Sequence, residues 1–455
     1  MSVDVIILAA GQGSRMKSDK PKVLHPIGGK PMVQHVIDSA RGLESARLHL
    51  VIGHGADQVR AALGGQVLNF AVQAEQLGTG HAVAQAMDAV DRNGISLVLY
   101  GDVPLTRTET LQQLLRIAQQ GHLGLLTVEL ADPAGYGRII RDDLGAVVAI
   151  VEHKDATVTQ RAVREVNTGI LALPSRLLAD WLPQLSSNNV QGEYYLTDVI
   201  AMAAAEGVRI EAIQPEHEQE VQGVNNRQQQ SELERWYQRR EAEWLMAEGV
   251  TLLDPSRVDV RGSLSAGRDV VIDINCVFEG VVRLGHGVEI GPNCSIRNAS
   301  IGDGTVIKAN SVIEDARVDA GCDIGPFARL RPGTELAKGA KIGNFVETKK
   351  ARIGEGSKVN HLSYIGDAEV GEAVNVGAGT ITCNYDGVNK FRTEIGDGAF
   401  IGSNSALVAP VKIGAGSTVG AGSTITKDVE AQQLSVARGK QRNLDNWQRP
   451  VKQKD

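Results

Sequence analysis

The sequence predicts an α/β chain in three parts: an open, doubly wound, mostly parallel sheet, one connecting helix, and a parallel β-helix of six-residue repeats. Three observations predict it. Residues 1–226 alternate short β-branched runs with amphipathic helical stretches. Residues 227–248 are polar and rich in helix formers. From Leu284 onward an aliphatic residue returns at every sixth position, often followed by Gly. Each pattern is a different solution to burying apolar side chains, so three different architectures follow.

In the first part, Val5–Leu8, Leu48–Ile52, Leu97–Tyr100, Leu123–Val128 and Val147–Val151 read as strands. Met32–Ala40, Thr106–Gln119 and Thr197–Ala205 read as helices, the first with Met32, Val33, Val36, Ile37 and Ala40 on one face. Strands alternating with helices imply a sheet covered on both faces, with ligands at the C-terminal ends of the strands. Gln228–Glu248 carries Leu233, Trp236, Tyr237 and Trp244 at roughly helical spacing, and Gly249 is a stop signal. It reads as a linker helix about 30 Å long at ~1.5 Å per residue. The expected domains are therefore 1–226, the linker 227–248, and 249–455.

In the last part the aliphatic positions run Leu284, Ile290, Ile296; Ile301, Ile307, Ile313; Ile324, Leu330, Leu336, Ile342. The count restarts at Ile353 and at Val370, then runs unbroken from Ile395 through Ile425. A period of six fits neither a helix nor a flat sheet. It fits short strands separated by tight turns, three to a coil, each aliphatic residue pointing inward. Residues 18 apart should then stack, as should Arg331 with Lys349 (349 − 331 = 18), Ser403 with Ala421 (421 − 403 = 18) and Cys276 with Cys294 (294 − 276 = 18). Between Val376 and Ile395 the register slips, and Thr382–Lys390 carries polar and aromatic groups. Insertions in a solenoid form loops, often on a binding face; a tolerated surface loop is the alternative.

Composition narrows the function. The 455 residues suit two large domains. The formal net charge of -7 gives no bulk attraction to nucleic acid or anionic membrane. No basic-plus-apolar leader and no spanning apolar run is present, so a cytoplasmic location is expected. Cys276, Cys294, Cys322 and Cys383 include no CxxC pair and read as free thiols.

The strand Val5–Leu8 runs into Leu8-Ala9-Ala10-Gly11-Gln12-Gly13-Ser14-Arg15-Met16, followed by Pro21-Lys22-Val23-Leu24. A Gly-rich turn after a first strand brings backbone N–H groups close to phosphate. Arg15 and Lys22 add fixed positive charge, enough to hold a triphosphate and stabilise a pyrophosphate leaving group. The GxGxxG spacing of dinucleotide sites is absent. Gln73–Gly80 opens a helix, and Tyr100-Gly101-Asp102 ends a strand. A carboxylate there suits Mg²⁺, a hard cation; it also suits a helix cap or turn.

These motifs resemble the sugar-1-phosphate nucleotidyltransferases. Over nearly the whole chain the sequence is similar to the bifunctional N-acetylglucosamine-1-phosphate uridylyltransferase / glucosamine-1-phosphate acetyltransferase family. The resemblance implies a Rossmann-like nucleotidyltransferase domain followed by a left-handed β-helix. It implies that Leu8, Ala9, Ala10, Gly11, Arg15, Lys22, Gln73, Gly78 and Thr79 contact UTP. Tyr100, Gly101, Asp102, Gly137, Glu152, Asn167 and Asn225 would line the sugar nucleotide, with Asp102 and Asn225 as Mg²⁺ ligands. Gly192–Asp198 also matches. Ser14 departs from a common Thr but keeps the hydroxyl.

In the second half His361 follows the inward Val359 by two positions, and alternation alone leaves its orientation open: a corner or surface residue, or a base. A neutral imidazole suits removal of a proton from a sugar amine attacking a thioester. Two stacked cations suit a sugar phosphate. The resemblance implies His361 as general base. It implies Arg331, Lys349, Tyr364, Asn375 and Lys390 for glucosamine-1-phosphate, and Ala378, Asn384, Tyr385, Ser403, Ala421 and Arg438 for acetyl-CoA. It also implies N-acetylglucosamine-1-phosphate as the intermediate and a homotrimer through the β-helix. The product would feed peptidoglycan and lipopolysaccharide precursors. Two competing readings remain: a single-function sugar-1-phosphate nucleotidyltransferase with a structural β-helix, and a non-enzymatic scaffold. The His361–Tyr364–Asn384–Tyr385 set opposes the first, and Gly11–Lys22 with Asp102 opposes the second.

Overall fold

The computed structural model describes residues 1–452; the last three residues of the expected second domain, 453–455, lie outside the described residues. The chain forms two compact units, Met1–Tyr237 and Gln238–Asp455.

The first unit is built on a nine-stranded sheet. In chain order its strands are β1 Val3–Ala9, β2 Ala46–Ile52, β3 Asn69–Val72, β4 Ile95–Tyr100, β5 Leu123–Glu129, β6 Arg138–Arg141, β7 Val147–Val151, β8 Glu165–Pro174 and β9 Ile210–Ile213. The spatial order is β9-β5-β8-β4-β1-β2-β3, with β6 and β7 branching from β8. All seven residues of β1 are buried, as a central strand covered on both faces requires. The pairs β1–β2, β1–β4, β2–β3 and β5–β9 are parallel. Within the expected mostly parallel sheet, β8 runs antiparallel to both β4 and β5. The five expected strands are all present. The sequence reading missed β6, β8 and β9, which are short or broken by polar residues.

Helix Met32–Arg41 buries the Met32, Val33, Val36, Ile37 and Ala40 stripe read from the sequence. Helix Arg227–Ala247 spans the expected linker. It does more than connect. Leu233 is buried with Met16, Ile27, Met32, Leu105 and Val224 in a small core of the first unit, where Trp236 and Tyr237 also pack. Ala242 and Leu245 are buried in the core of the second unit.

The second unit is a parallel β-helix whose inward aliphatic residues form one continuous core. The predicted stacking is observed for Cys276 over Cys294, next to the pair Val277↔Ser295, and for Arg331 over Lys349, next to Leu330↔Thr348. The period is not uniformly 18. Lys341 pairs Lys358 and Glu347 pairs Tyr364, each 17 apart (358 − 341; 364 − 347). The lost residue is at one corner. Ile296 to Ile301, Ile313 to Val318, Thr348 to Ile353 and Ile365 to Val370 are steps of five, and each encloses a residue in the left-handed region: Asn298, Asp315, Lys350 and Asp367. The restarts in the hexad count are these tightened corners. Among the described residues no helix is long and apolar enough to cross a membrane.

Candidate functional sites

The first site lies where β1 and β4 end. Leu8, Ala9, Ala10, Gly11, Lys22, Gln73, Gly78, Thr79, Tyr100 and Asp102 line one cavity, together with Gln76 and Glu193. The Gly-rich turn continues past Gly13, whose φ of +63° is left-handed and whose added Cβ would lie 2.6 Å from Lys22 Cβ. Gly13 therefore lets Lys22 approach. The Lys22 ammonium contacts Asp102 Oδ2 and lies 3.3 Å from Asn225 Oδ1; Arg15 Nη2 donates to the same Asn225 oxygen at 2.9 Å. Asp102 and Asn225 thus converge on a single cation although they are far apart in sequence. Oxygen-only donors of this kind suit a hard divalent ion. Among the described residues no group of three or more His, Cys, Asp or Glu side chains is arranged to hold a metal.

The residues expected to line the sugar nucleotide cluster beside this pair. Gly101 N–H donates to Leu8 O at 2.9 Å, joining the ends of β4 and β1. A Cβ on Gly137 would lie 3.4 Å from Glu152 Oε1, and Asn167 N–H donates to Gly137 O at 2.9 Å. Asn167 Oδ1 in turn accepts from Gly169 N–H at 3.0 Å, and a Cβ on Gly169 would meet the Tyr100 ring at 2.4 Å. Burial, then the charges of Glu152 and Asp102, hold the Tyr100 phenol well above its ordinary value, so it stays a neutral donor. Burial also raises the Glu152 carboxyl, partly offset by the Thr197 hydroxyl and reinforced by Asp155, Asp198 and Glu193.

The second site follows a corner of the β-helix. Asn344 pairs with His361 one coil on, and Gly379 N–H donates to His361 O at 3.1 Å, which sets Ala378 in the next coil. Asn404 N–H donates to Ala378 O and Gly422 N–H to Ser403 O, both at 2.8 Å. His361, Ala378, Ser403 and Ala421 therefore form one ladder, and Arg438 Nη1 donates to Ala421 O at 2.7 Å. His361 Nδ1 meets Asn344 Oδ1 at 2.7 Å. With that oxygen accepting, Nδ1 carries the proton and Nε2 keeps its lone pair. On the adjoining face Lys349 stacks on Gly366, over which the Tyr364 ring folds. Lys390 beside it, then Arg331, lower the Lys349 ammonium below its ordinary value, and Asp367 opposes them. Such crowding of like charge is what an incoming phosphate relieves. Arg331 also donates to Glu347 Oε1 at 2.7 Å, a partner the sequence did not suggest. Asn375 lies on a different face, paired with Lys358 and Phe400.

The loop that breaks the repeat is ordered. Ala368 pairs Thr393 across 25 residues (393 − 368), against 17 in the coil before (368 − 351), so eight residues are added. Tyr385 bridges Lys390, Phe391 N–H donates to Asn384 O at 2.9 Å, and the Asn384 amide donates to Asp367. This hairpin carries Lys390 toward Lys349.

Comparison with known proteins agrees with both halves. Residues 5–166 match the MobA-like NTP transferase domain, and residues 392–427 match the bacterial transferase hexapeptide (six repeats). The bifunctional protein GlmU of Cellvibrio japonicus is 66% identical over 450 residues, covering 99% of this chain and 99% of its own. That of Marinobacter nauticus is 62% identical over 448 residues, covering 98% and 99%. The chain belongs to the bifunctional GlmU family. It is a bifunctional enzyme, a nucleotidyltransferase in its first half and a hexapeptide acetyltransferase in its second. Nucleotide-sugar substrates and a divalent metal go with membership.

Within this chain the sequence reading missed several residues. Gln76 lay inside the quoted Gln73–Gly80 segment, so its signal was present. Tyr136, whose phenol is raised by burial and then by the Asp102 charge, stands beside the cation pair without any motif to mark it. Asn344 could not be found by an 18-residue period, which places Gly343 under His361 (361 − 18 = 343); the tightened corner at Lys350 makes the step 17.

Proposed function

We propose that the two sites work in series on one sugar: acetyl transfer to glucosamine-1-phosphate, then uridylyl transfer from UTP to N-acetylglucosamine-1-phosphate. In the first step His361 Nε2 takes a proton from the sugar amine as its nitrogen bonds to the thioester carbon. The Ala378 N–H supports the carbonyl oxygen as charge develops, and the coenzyme A thiolate leaves. Arg331, Lys349 and Lys390 hold the sugar phosphate beside Tyr364, and Asn375 is assigned to the sugar from its own face. Asn384, Tyr385, Ser403, Ala421 and Arg438 lie along the path assigned to acetyl-CoA.

In the second step a phosphate oxygen of the sugar attacks the α-phosphorus of UTP, the bond to the β-phosphate oxygen breaks, and pyrophosphate leaves. No protein nucleophile is required, so the site acts by positioning and charge neutralisation. The Leu8–Gly11 turn, Gln73, Gly78 and Thr79 seat the nucleotide; Tyr100, Gly101, Gly137, Glu152 and Asn167 seat the sugar. A bound Mg²⁺, on Asp102 and Asn225, would neutralise phosphate charge and fix the reacting oxygens. Lys22 and Arg15 then move from those ligands to the phosphates. The carrying observation is the convergence of these two cations and two oxygen ligands at the mouth of the Gly-rich turn.

We further propose a cytoplasmic homotrimer. Location follows from the co-substrates, UTP and acetyl-CoA, and from free buried thiols at Cys276, Cys294 and Cys322. Assembly through the β-helix is supported by exposed apolar Phe327, Phe345 and Leu362 at one corner; light scattering checks the mass. The deciding assay supplies UTP, acetyl-CoA, glucosamine-1-phosphate and Mg²⁺ and follows free thiol, pyrophosphate and nucleotide sugar. With Asp102→Ala, thiol release should persist while pyrophosphate release stops. Undiminished pyrophosphate release at limiting Mg²⁺ removes Asp102 from the metal.

A further inference from the structure

The cation pair at the nucleotidyl site raises a positional problem. Asp102 and Asn225 are separated by 123 residues (225 − 102) and sit on two connecting segments rather than on strands. A small divalent ion tolerates little error in where its ligands stand. One tie is near the ligands: Val224 N–H donates to Asp102 O at 2.9 Å. That bond and the burial of Val224 beside Leu105 hold the ligand end of the second segment, and its other end needs an anchor of its own.

The second tie is a buried carboxylate. Glu220, in the short turn Glu218–Val221, is 0% exposed. Its backbone oxygen accepts from Thr106 Oγ1 and its side-chain Oε2 from Thr110 Oγ1, both at 2.9 Å. Thr106 and Thr110 are themselves buried, just beyond Asp102 and in the first turn of helix Thr108–Gln119. A carboxylate at a helix start is electrostatically favoured. Arg107 faces it too: burial opposes that guanidinium's charge, while Glu216, Glu220 and Glu109 raise its pKa. The segments 102–110 and 220–225 are thus pinned at both ends. A buried carboxylate is costly to keep in a turn unless its partners matter.

We propose that Glu220 is a positioning residue for uridylyl transfer: it fixes the Asn225 segment against the Asp102 segment and so sets the distance between the two metal ligands. It touches no substrate. This rests on Asp102 and Asn225 being the ligands. The same geometry makes Thr106 its accessory, because the Thr106 hydroxyl holds the backbone of Glu220 whatever the side chain does.

The test uses the full-length protein and Mn²⁺ as the probe, with free Mn²⁺ read by electron paramagnetic resonance in the presence of UTP. Glu220→Ala should weaken Mn²⁺ binding about tenfold, the lower end for residues that orient metal ligands. It should raise the Mg²⁺ concentration for half-maximal uridylyl transfer by a similar factor, with kcat recovered at high Mg²⁺. Glu220→Gln, which keeps an oxygen for Thr110, should stay within about threefold. Thr106→Val should shift Mn²⁺ binding in the same direction as Glu220→Ala and serves if that variant does not fold. Acetyl transfer is the control for intact protein. Asp102→Asn in the same assay separates the two claims. If Asp102→Asn weakens Mn²⁺ binding but neither Glu220→Ala nor Thr106→Val does, the positioning role is overturned and the ligands stand. If Asp102→Asn leaves binding unchanged, the ligand assignment fails and the proposal with it. A loss of kcat in Glu220→Ala that high Mg²⁺ does not restore also overturns it, since the role would then be general support of the fold.

Discussion

Replacing Asn344 by Ala tests how His361 is prepared as a base. The bond between His361 Nδ1 and Asn344 Oδ1, at 2.7 Å, is near the surface of the β-helix, so its removal leaves no buried orphan. A bond of this kind contributes about 0.5–1.5 kcal/mol net. At 1.36 kcal/mol per factor of ten, losing it should lower the acetyl kcat by roughly 2- to 12-fold, as the imidazole visits the wrong tautomer and rotamer. His361→Ala removes the base itself and should cost about 10²–10⁴-fold. The two variants should therefore differ by about eightfold or more. KM for glucosamine-1-phosphate should be unchanged in Asn344→Ala, because the cation group of Arg331, Lys349 and Lys390 is untouched. Asn344→Asp keeps an acceptor and should recover most of the loss. The assay is saturation kinetics with thiol detection, with uridylyl transfer by the same preparation as control. An unchanged kcat in Asn344→Ala would refute the orienting role. A kcat as low as that of His361→Ala would show that the change disrupts the corner instead.

Three other outcomes are expected. Gly28→Ala should destabilise the first unit by more than about 2 kcal/mol and lower uridylyl transfer, because Gly28 has φ +55° and its new Cβ would lie 2.2 Å from Tyr237 Cε1; thermal melting with both activity assays checks it. Glu165→Gln should lower the melting temperature at pH 7 by about 1–4 °C, a modest effect since Arg141 is partly exposed. The bidentate Arg141 bond, against a desolvation cost, and then the Thr127 hydroxyl hold the Glu165 carboxyl below its usual value, so the pair stabilises the fold above the unfolded-state pKa and is lost as pH falls through the native one; the difference between variant and parent should narrow on acidification. A fragment beginning at Gln238 should melt about 5 °C or more above one beginning at Gly249, since Gln238 bonds both the N–H and the carbonyl of Val260 and Leu245 is buried in the β-helix core; calorimetry of the two fragments decides it.

What could be read from the sequence follows from how local each signal is. The Gly11–Lys22 turn was visible because its glycines and cations lie within one short segment, and Asp102 because it ends a strand-like run. The inward aliphatic ladder was visible because each coil repeats the same demand. Asn344, Glu220 and the Leu233 core depend instead on residues brought together over long separations. The stack of Asn344 under His361 further depends on Lys350 adopting a left-handed φ, which a Lys does not announce. Glu220 ends a run of polar residues, His217–Glu220, that reads as a surface turn although its side chain is fully buried. The antiparallel direction of β8 was not legible because a long strand broken at Asn167–Leu171 gives no directional cue in composition.

The eight-residue excursion between Asn384 and Phe391 has a consequence for how such an enzyme changes over time. Asn375 pairs Phe400 across it, and Phe400 pairs Thr418 in the coil after, as if nothing had been inserted. Stacking position in this solenoid is therefore independent of the number of residues between stacked positions. A corner is a cassette slot: its contents can be lengthened, shortened or exchanged while every inward aliphatic residue keeps its neighbours. Coils of 17 and 25 residues already coexist here with coils of 18. On the roles proposed for Tyr385 and Lys390, swapping the cassette that carries them between β-helices is a direct route to altered acyl or sugar selectivity.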